Sequence, residues 1–320
     1  MAEGIEMIGE SPAMNVVRGL VERVAPTDAT VLISGESGSG KEPVAQSIHQ
    51  RSARRAGAFV AVNCGAIPAT LIEAELFGYE RGSFTGAARS HEGVFERASG
   101  GTLFLDEVTE MPSEMQTRLL RLLETRKFFR VGGSQEVDAD VRVVAATNRC
   151  PIHAAQSGVL REDLLYRLAV FPIVLPPLRE RGDDVLLLAQ HFLDGLNERS
   201  GTRKRLTPAA LDVLVGHSWP GNVRELKNAI ERAFILSDDT LNLEILPVRA
   251  ATAAGETIAA TGVSVPLGTT LAQAERQVIE ATLAHWNGNK SRSAQALGCS
   301  LKTLYNKLAQ YQREPARAVG

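Results

Sequence analysis

The segment GESGSGKE, from Gly35 to Glu42, has the spacing G-x-x-x-x-G-K that is typical of phosphate-binding loops. It follows the apolar run TVLIS and precedes a helical pattern, so its glycines can turn backbone N–H groups around phosphates while Lys41 reaches the terminal ones. A glycine-rich turn without a ligand is the alternative. The predicted phosphate-binding residues are Gly35, Glu36, Ser37, Gly38, Ser39, Gly40, Lys41 and Glu42.

Two carboxylates follow a second apolar run, in GGTLFLDEVTEM. Asp106 is suited to bind Mg²⁺ and Glu107 to orient an attacking water, which are the groups that hydrolysis of a nucleotide needs. A further run, VRVVAATN, places Thr147 and Asn148 at its carboxyl end, where α/β sheets bind ligands. Glu42 stands where a magnesium-binding Ser or Thr is usual. Pro43 lacks a backbone N–H, but proline is tolerated in the first turn of a helix because the N–H groups there have no intrahelical acceptor.

The order of apolar runs predicts the fold class. TVLISG, FVAVNC, GTLFLDE, VRVVAATN and FPIVLP alternate with helical patterns, which favours an α/β domain with a parallel sheet covered on both faces. Helical spacing alone continues from about Asp183, which indicates a helical lid. A stretch rich in Ala, Thr and Gly then reads as a linker. The predicted divisions are an α/β subdomain at 1–182, a helical lid at 183–248, a linker at 249–270 and a small all-α domain at 271–320.

Composition excludes several protein classes. The chain has 320 residues, 44% hydrophobic residues and a net charge of −2, as expected of a globular protein of two or three domains. It lacks an amino-terminal targeting pattern and any apolar run long enough to span a bilayer, so we expect a cytoplasmic protein without membrane contacts. Cys64, Cys150 and Cys299 are far apart, and we interpret them as reduced thiols.

The carboxyl-terminal segment is basic. From Gln273 onward there are seven basic and three acidic residues, and the pattern NKSRSAQALGCSLKTLYNKL is typical of a helix-turn-helix, with glycine in the turn and Ser300 as an N-cap. A plain helical hairpin with a solvated basic face is the alternative. The predicted DNA-binding residues are Arg292, Lys302, Thr303, Asn306 and Lys307.

Several motifs together carry a family resemblance. GESGSGKE, GSFTGA, GTLFLDE, LREDLLYRLAVFPIVLPPLRERGDD and WPGNVRELKN, in this order, resemble the AAA+ ATPase domain of bacterial sigma-54-dependent transcriptional activators between about Ile8 and Leu246. The carboxyl-terminal segment resembles the Fis-type DNA-binding domain of the same family. The resemblance implies a P-loop AAA+ fold, ATP and Mg²⁺ as ligands, and a phosphate loop that ends in Lys-Glu, as it does here.

The resemblance also implies roles for residues that the patterns alone do not assign. Asn63 corresponds to the asparagine that senses the γ-phosphate and reorients the catalytic glutamate, with a satisfied polar residue at a strand end as the alternative. Arg161 and Arg167 correspond to arginines that reach the nucleotide of the neighbouring subunit in a ring, expected to be a hexamer. Arg224 corresponds to the lid arginine that contacts the nucleotide of its own chain. Asn148, at the carboxyl end of VRVVAATN, is also predicted to bind the nucleotide.

The loop Gly82, Ser83, Phe84, Thr85, Gly86 and Ala87 resembles the family's GAFTGA loop, with Ser83 in place of alanine. In the family this loop contacts sigma-54, which would explain an exposed ring at Phe84. The alternative is a phenylalanine that packs back onto its own domain.

The expected function is ATP-driven activation of transcription. Enhancer DNA, the sigma-54 RNA polymerase holoenzyme and further copies of the chain are the expected partners. Few residues precede Ile8, so we expect no sensing domain there. Three explanations stay open: control by a separate regulatory protein, control by the abundance of the protein itself, or a chain that is a fragment of a longer activator. Two other functions stay open: a DNA-binding regulator that does not act through sigma-54, and a small-molecule kinase.

Overall fold

The computed structural model describes residues 7–84, 86–243, 269–286 and 289–313. Thr85 of the GSFTGA loop lies outside the described residues, as does the predicted linker up to residue 268. The chain divides into two compact units, Met1–Leu246 and Pro247–Gly320, which we describe separately.

The first unit begins with an α/β part. Its helices are α1 (Pro12–Val24), α2 (Lys41–Gln50), α3 (Ile72–Phe77), α4 (Val94–Arg97), α5 (Ser113–Thr125), α6 (Pro151–Gln156) and α7 (Glu162–Leu168). Its strands are β1 (Val31–Ser34), β2 (Phe59–Asn63), β3 (Thr102–Asp106), β4 (Lys127–Phe129), β5 (Glu136–Asp138), β6 (Arg142–Thr147) and β7 (Phe171–Val174). Strands β4 and β5 form a separate antiparallel pair.

The main sheet is parallel, with the strand order β2-β3-β6-β1-β7. Every residue of β6 is buried, as expected of a strand covered on both faces. The register pairs Asn63 with Asp106 and Ser34 with Thr147. The carboxyl ends of four strands therefore meet at one edge. This is the α/β core that the sequence predicts.

A helical lid completes the first unit. Helices α8 (Asp184–Ser200), α9 (Pro208–Gly216) and α10 (Asn222–Leu236) enclose an apolar core of their own, and strands β8 (Arg205–Leu206) and β9 (Thr240–Leu241) form a short parallel pair. Trp219 is 1% exposed, and its indole N–H donates to the carbonyl of Leu214 at 2.9 Å, so this large ring is buried without an unpaired donor. The two-residue strands are too short for the sequence pattern to reveal.

The second unit contains α11 (Leu271–His285), α12 (Lys290–Ala296) and α13 (Leu301–Arg313). Ile279, Ala294 and Leu304 form its small core. Gly298 has φ +64°, which allows the tight turn between α12 and α13, and the hydroxyl of Ser300 accepts from the Thr303 N–H at 3.1 Å. The helix-turn-helix elements that the sequence predicts are therefore present.

Within the described part of the chain, no helix has both the length and the apolar character needed to cross a membrane. The three cysteines are free, and burial raises the pKa of the Cys64 thiol to about 12, so this thiol stays protonated at neutral pH.

A buried carboxylate joins the lid to the first helix. Asp184, 1% exposed at the start of α8, accepts from the N–H groups of Glu10 (2.6 Å) and Ser11 (2.9 Å) and from the Ser11 hydroxyl (2.6 Å). The Ser11 hydroxyl in turn accepts from the Met14 N–H at 3.3 Å, which caps α1. One carboxylate therefore connects the start of α8 to the segment that begins α1.

We expect Asp184→Ala to lower the free energy of unfolding by about 2–4 kcal/mol, because three partly buried donors lose a charged acceptor. The neighbouring carboxylate offers a matched control, since Asp183 is exposed and its side chain does not cap α8. Urea titration in a Trp286→Phe background would report on the lid through the fluorescence of Trp219. Equal unfolding midpoints for Asp184→Ala and Asp183→Ala would contradict this account of the junction.

Candidate functional site

The phosphate loop connects β1, which lies between β6 and β7 in the sheet, to α2. Gly38 and Gly40 have φ of +74° and +102°, a region that residues with a side chain rarely adopt. The Ser39 N–H donates to the Glu36 carbonyl at 3.2 Å, and Gly35 N–H donates to the carbonyl of Thr147 on β6 at 3.2 Å. The loop is thus folded over the sheet edge, and the N–H groups of the first turn of α2, which lack intrahelical acceptors, are available to an anion.

Lys41 is 7% exposed, and its ammonium is held by acceptors on both sides. It donates to the carbonyls of Gly35 (3.1 Å) and Glu36 (3.3 Å) and lies 3.6 Å from Oε1 of Glu107. This contact brings the phosphate loop and the carboxylates after β3 close together.

Glu107 directly follows β3, at the edge of the sheet where the strands end. Its Oε2 accepts from the backbone N–H of Asn148 at 3.0 Å, and its own N–H donates to Oδ1 of Asp106 at 3.0 Å. Its backbone has φ 52° and ψ 50°, a left-handed conformation that costs a residue with a side chain about 1–2 kcal/mol. The Asn148 side chain is exposed, so its backbone makes the contact that orients Glu107.

Asn63 lies at the same edge, but its side chain is engaged locally. Its Oδ1 accepts from the N–H groups of Gly65 (2.9 Å) and Ala66 (3.1 Å), which forms a turn directly after β2. The carboxamide oxygen is therefore satisfied by its own loop, as the alternative interpretation from the sequence expects. The sensing role of Asn63 stays a prediction.

The site has the groups that are needed to bind a nucleoside triphosphate and Mg²⁺. Ser39 is 1% exposed, and its Oγ has no hydrogen-bond partner within the described residues, so a phosphate oxygen would complete its bonding. The carboxylates of Asp106 and Glu107 suit Mg²⁺, which proteins commonly hold through one or two carboxylates together with the substrate phosphates. Glu42 is exposed and accepts from Gln46 at 3.4 Å, so Asp106 is the better candidate ligand.

The lid contacts the phosphate loop through the start of α10. Asn222 donates from Nδ2 to the Ser37 carbonyl and to Oε2 of Glu36, both at 3.1 Å, and Arg224 donates to the Ser37 hydroxyl at 2.9 Å. A Cβ added to Gly38 would lie 2.4 Å from the Gly221 carbonyl, so only glycine allows this approach. Arg224 thus reaches the loop from the same chain, at the position where the resemblance predicts nucleotide contact.

Two arginines that the sequence patterns did not assign also hold the phosphate loop. Arg179 donates to both carboxylate oxygens of Glu36 (2.7 and 2.9 Å), and this lowers the pKa of Glu36. Arg181 is 3% exposed and donates to the Ser39 carbonyl at 2.6 Å, while burial lowers its pKa to about 10. Both lie in LRERGDD, a segment that marked the family but carried no predicted contact.

Arg161 and Arg167 lie on the surface around α7. Arg161 makes a bidentate ion pair with Asp163 (2.7 and 3.1 Å), and Arg167 lies 3.6 Å from Glu124. Their side chains are 43% and 55% exposed, so both are accessible to a neighbouring molecule. Their predicted role in a neighbouring subunit's site stays a prediction.

The GSFTGA loop has a partly exposed ring. Gly82 and Gly86 have φ of +83° and +110°, and Gly82 N–H donates to the carbonyl of Ala87 at 2.9 Å. Phe84 is 42% exposed, and its ring packs edge-on against Tyr79 with 5.0 Å between the ring centroids. The ring is therefore neither buried nor free: one edge packs on the base of the loop and the remainder is exposed.

Ser83, a residue of this loop, has a buried hydroxyl. Its Oγ has no hydrogen-bond partner within the described residues. A Cβ added to Gly132 would lie 2.6 Å from the Ser83 Cβ, so Gly132 leaves the space that Ser83 occupies. The hydroxyl thus adds an unsatisfied group to the folded form of the loop.

The predicted DNA-binding residues divide into two groups in the second unit. Lys302, Thr303, Asn306 and Arg292 are exposed, with the Arg292 guanidinium 5.7 Å from the Trp286 ring centroid. Lys307 instead pairs with Glu275 of α11 at 2.7 Å. The ammonium of Lys307 is therefore engaged within the domain, and its predicted DNA contact remains untested.

Comparison with known families identifies the chain. Residues 7–174 match the sigma-54 interaction domain, residues 179–261 match the AAA+ ATPase lid domain, and residues 270–311 match the bacterial regulatory protein domain of the Fis family. The chain belongs to the sigma-54 activator family. The resemblance inferred from the motifs is confirmed, as are the P-loop NTPase fold and the Fis-type DNA-binding domain. The family argues against the small-molecule kinase.

Relatives match along nearly the whole chain. The nitrogen fixation protein AnfA of Azotobacter vinelandii is 46% identical over 95% of this chain, and the regulatory protein AtoC of Escherichia coli K12 is 44% identical over 97%. A crystal structure of NtrX from Brucella abortus in complex with ATP matches 95% of this chain and 69% of its own, with a TM-score of 0.70 at 37% identity. The chain spans 57% of the length of AnfA and 68% of that of AtoC.

We expect Arg179→Ala to weaken binding of a fluorescent ATP analogue about three- to tenfold, because Glu36 would lose its only described cationic partner, keep the neutral Asn222 amide, and repel the phosphates across a partly exposed site. The double variant Glu36→Gln/Arg179→Ala should bind within about twofold of the wild type, since the repelling charge is gone. Lys127→Ala, which breaks an ion pair with Glu136 at similar exposure, is the matched control. Equal weakening in the single and double variants would contradict this charge argument.

We expect Ser83→Ala to slow amide hydrogen exchange in the peptide spanning residues 79–91 about three- to tenfold, because the variant removes an unsatisfied hydroxyl from the closed loop. Gly132→Ala should speed the exchange, since its methyl group would displace Ser83. Ser90→Ala changes an exposed hydroxyl of the same segment and should leave exchange unaltered. Exchange in Ser83→Ala at the wild-type rate would refute this account of the hydroxyl.

Proposed function

We propose that this sigma-54 family member hydrolyses ATP with Glu107 orienting the attacking water. The contact of Lys41 with Glu107, at 3.6 Å, is the observation that carries the proposal, because it sets the phosphate-binding cation beside the carboxylate that would activate water. The Asn148 N–H holds the other carboxylate oxygen and limits how the carboxylate can turn. When bound, Mg²⁺ would neutralise phosphate charge beside Asp106.

Assembly completes the proposed site. Arg161, directly before α7, and Arg167, on α7, are exposed rather than folded onto the phosphate loop of their own chain, which suits a role in the site of a neighbouring subunit. We therefore propose a ring, expected to be a hexamer, in which hydrolysis depends on contact between subunits. Asn63 and Arg224 would sense the nucleotide, from the sheet edge and from the lid respectively.

The chain runs from this sheet edge, through one short helix, to the GSFTGA loop. The turn held by Asn63 is followed by α3, and α3 leads directly into the segment from Gly78 to Ala87. A change in the Asn63 turn on hydrolysis would be passed along this short helix to Phe84 and Thr85. We propose that the loop thereby moves against the sigma-54 RNA polymerase holoenzyme and drives opening of the promoter.

The helix-turn-helix would hold the activator at enhancer DNA. Lys302, Thr303 and Asn306 are exposed on α13, where the second helix of such a motif contacts the major groove. Dimeric binding to paired half-sites is expected of this geometry. The predicted domain boundaries follow residues 182, 248 and 270. With these boundaries, the AAA+ part would act on the polymerase while the 271–320 domain stays bound to DNA.

The test is promoter melting by the sigma-54 holoenzyme on a supercoiled template with ATP, with hydrolysis measured in the same reactions. We expect melting to require the protein, Thr85→Ala to abolish melting while hydrolysis persists, and Glu107→Gln to abolish both. Ser90→Ala, a hydroxyl outside the GSFTGA motif, should behave as the wild type.

Two results would overturn the proposal in different ways. Hydrolysis without melting by the wild-type chain, on a promoter that carries its own site, would favour a DNA-binding regulator that acts without sigma-54 remodelling. Hydrolysis that is unchanged in Glu107→Gln would show that another group orients the water.

A further inference from the structure

The outer face of α13 carries two exposed apolar side chains. Leu301 is 44% exposed and Tyr305, one turn later, is 50% exposed, whereas Leu304 between them is 1% exposed and packs in the domain core. Neither Leu301 nor Tyr305 is needed for that core, so the pair is available to a partner.

The charges around this pair favour a polyanion as that partner. The acidic residues described in this unit, Glu275 and Glu280, both lie on α11, where they pair with Lys307 (2.7 Å) and Arg276 (2.8 Å). From Lys290 to Arg313 the sequence contains five basic residues and no acid. The Lys290 ammonium lies 4.8 Å from the centroid of the Tyr305 ring, which places a positive charge directly at the apolar pair.

The position of Leu301 determines what it could contact. It is the first residue of α13, directly after the N-cap Ser300, and the amino-terminal residues of a recognition helix are those that meet base edges in the major groove. A leucine side chain has no hydrogen-bonding group, so it cannot bind the donors and acceptors of a guanine or adenine edge. The apolar group that the major groove offers is the 5-methyl group of thymine.

We propose that Leu301 is a specificity-determining residue that selects a thymine in each half-site by packing on its 5-methyl group. The proposal rests on the DNA binding proposed above and adds a base preference to it. Lys302 and Asn306 are also exposed on α13, where they can contact the backbone or a neighbouring base.

The test begins with selection of bound sites from a randomised double-stranded DNA library by the full chain. Each thymine of the selected half-site is then replaced by deoxyuridine, which removes only the methyl group. We expect one replacement per half-site to weaken binding by the wild type roughly three- to fivefold, the effect of one buried methyl group. Leu301→Ala should bind the thymine and uracil forms of that position equally.

Val278→Ala is the matched control, since Val278 is 40% exposed on α11 of the same domain and should leave the thymine preference intact. A wild type that selects a motif but is insensitive to every uracil replacement would overturn the proposal, and so would a thymine preference that survives in Leu301→Ala. A change in the oligomeric state of Leu301→Ala, without a change in uracil response, would assign the face to a second copy of the chain. Failure to select any motif would instead contradict the proposed DNA binding.

Discussion

The ammonium of Lys41 is a buried charge, and the arrangement of the candidate nucleotide site depends on how that charge is compensated. Two backbone carbonyls of the phosphate loop and the Glu107 carboxylate surround it. A buried ammonium without such partners would be costly, so the loop and the end of β3 must stay close together. The parallel register of β3, β6 and β1 provides that closeness, and Glu107 adopts a left-handed backbone conformation to point back towards the loop.

The lid belongs to this site because its polar groups complete the phosphate loop. Arg181 binds a loop carbonyl, Arg179 neutralises Glu36, and Asn222 contacts both the loop backbone and the same glutamate. Three residues after Arg181, Asp184 holds the start of α1. The phosphate loop and the start of α10 thus share direct hydrogen bonds.

Two surfaces outside the nucleotide site combine apolar and polar character in different ways. In the GSFTGA loop, Phe84 packs one edge on Tyr79 and keeps the remainder exposed, while Ser83 buries a hydroxyl that has no partner among the described residues. The unpaired hydroxyl lowers the stability of the folded loop, whereas the ring contact adds to it. On α13 the exposed apolar pair lies in the segment from Lys290 to Arg313, which has five basic residues and no acid, and this suits a nucleic acid rather than an apolar protein surface.

Much of this protein could be predicted from the sequence, because the relevant signals are local. The glycine spacing of the phosphate loop, the apolar run that ends in Asp106 and Glu107, and the turn between α12 and α13 each depend on backbone conformation within a few residues. The partners of individual side chains could not be predicted in this way. Arg179 meets Glu36 across 143 positions of the chain, Asn63 turns to its own loop, and Lys307 turns to Glu275 rather than outward. These outcomes depend on which donors and acceptors the packed sheet, lid and helices bring within hydrogen-bonding distance, and a local pattern contains no information about that distance.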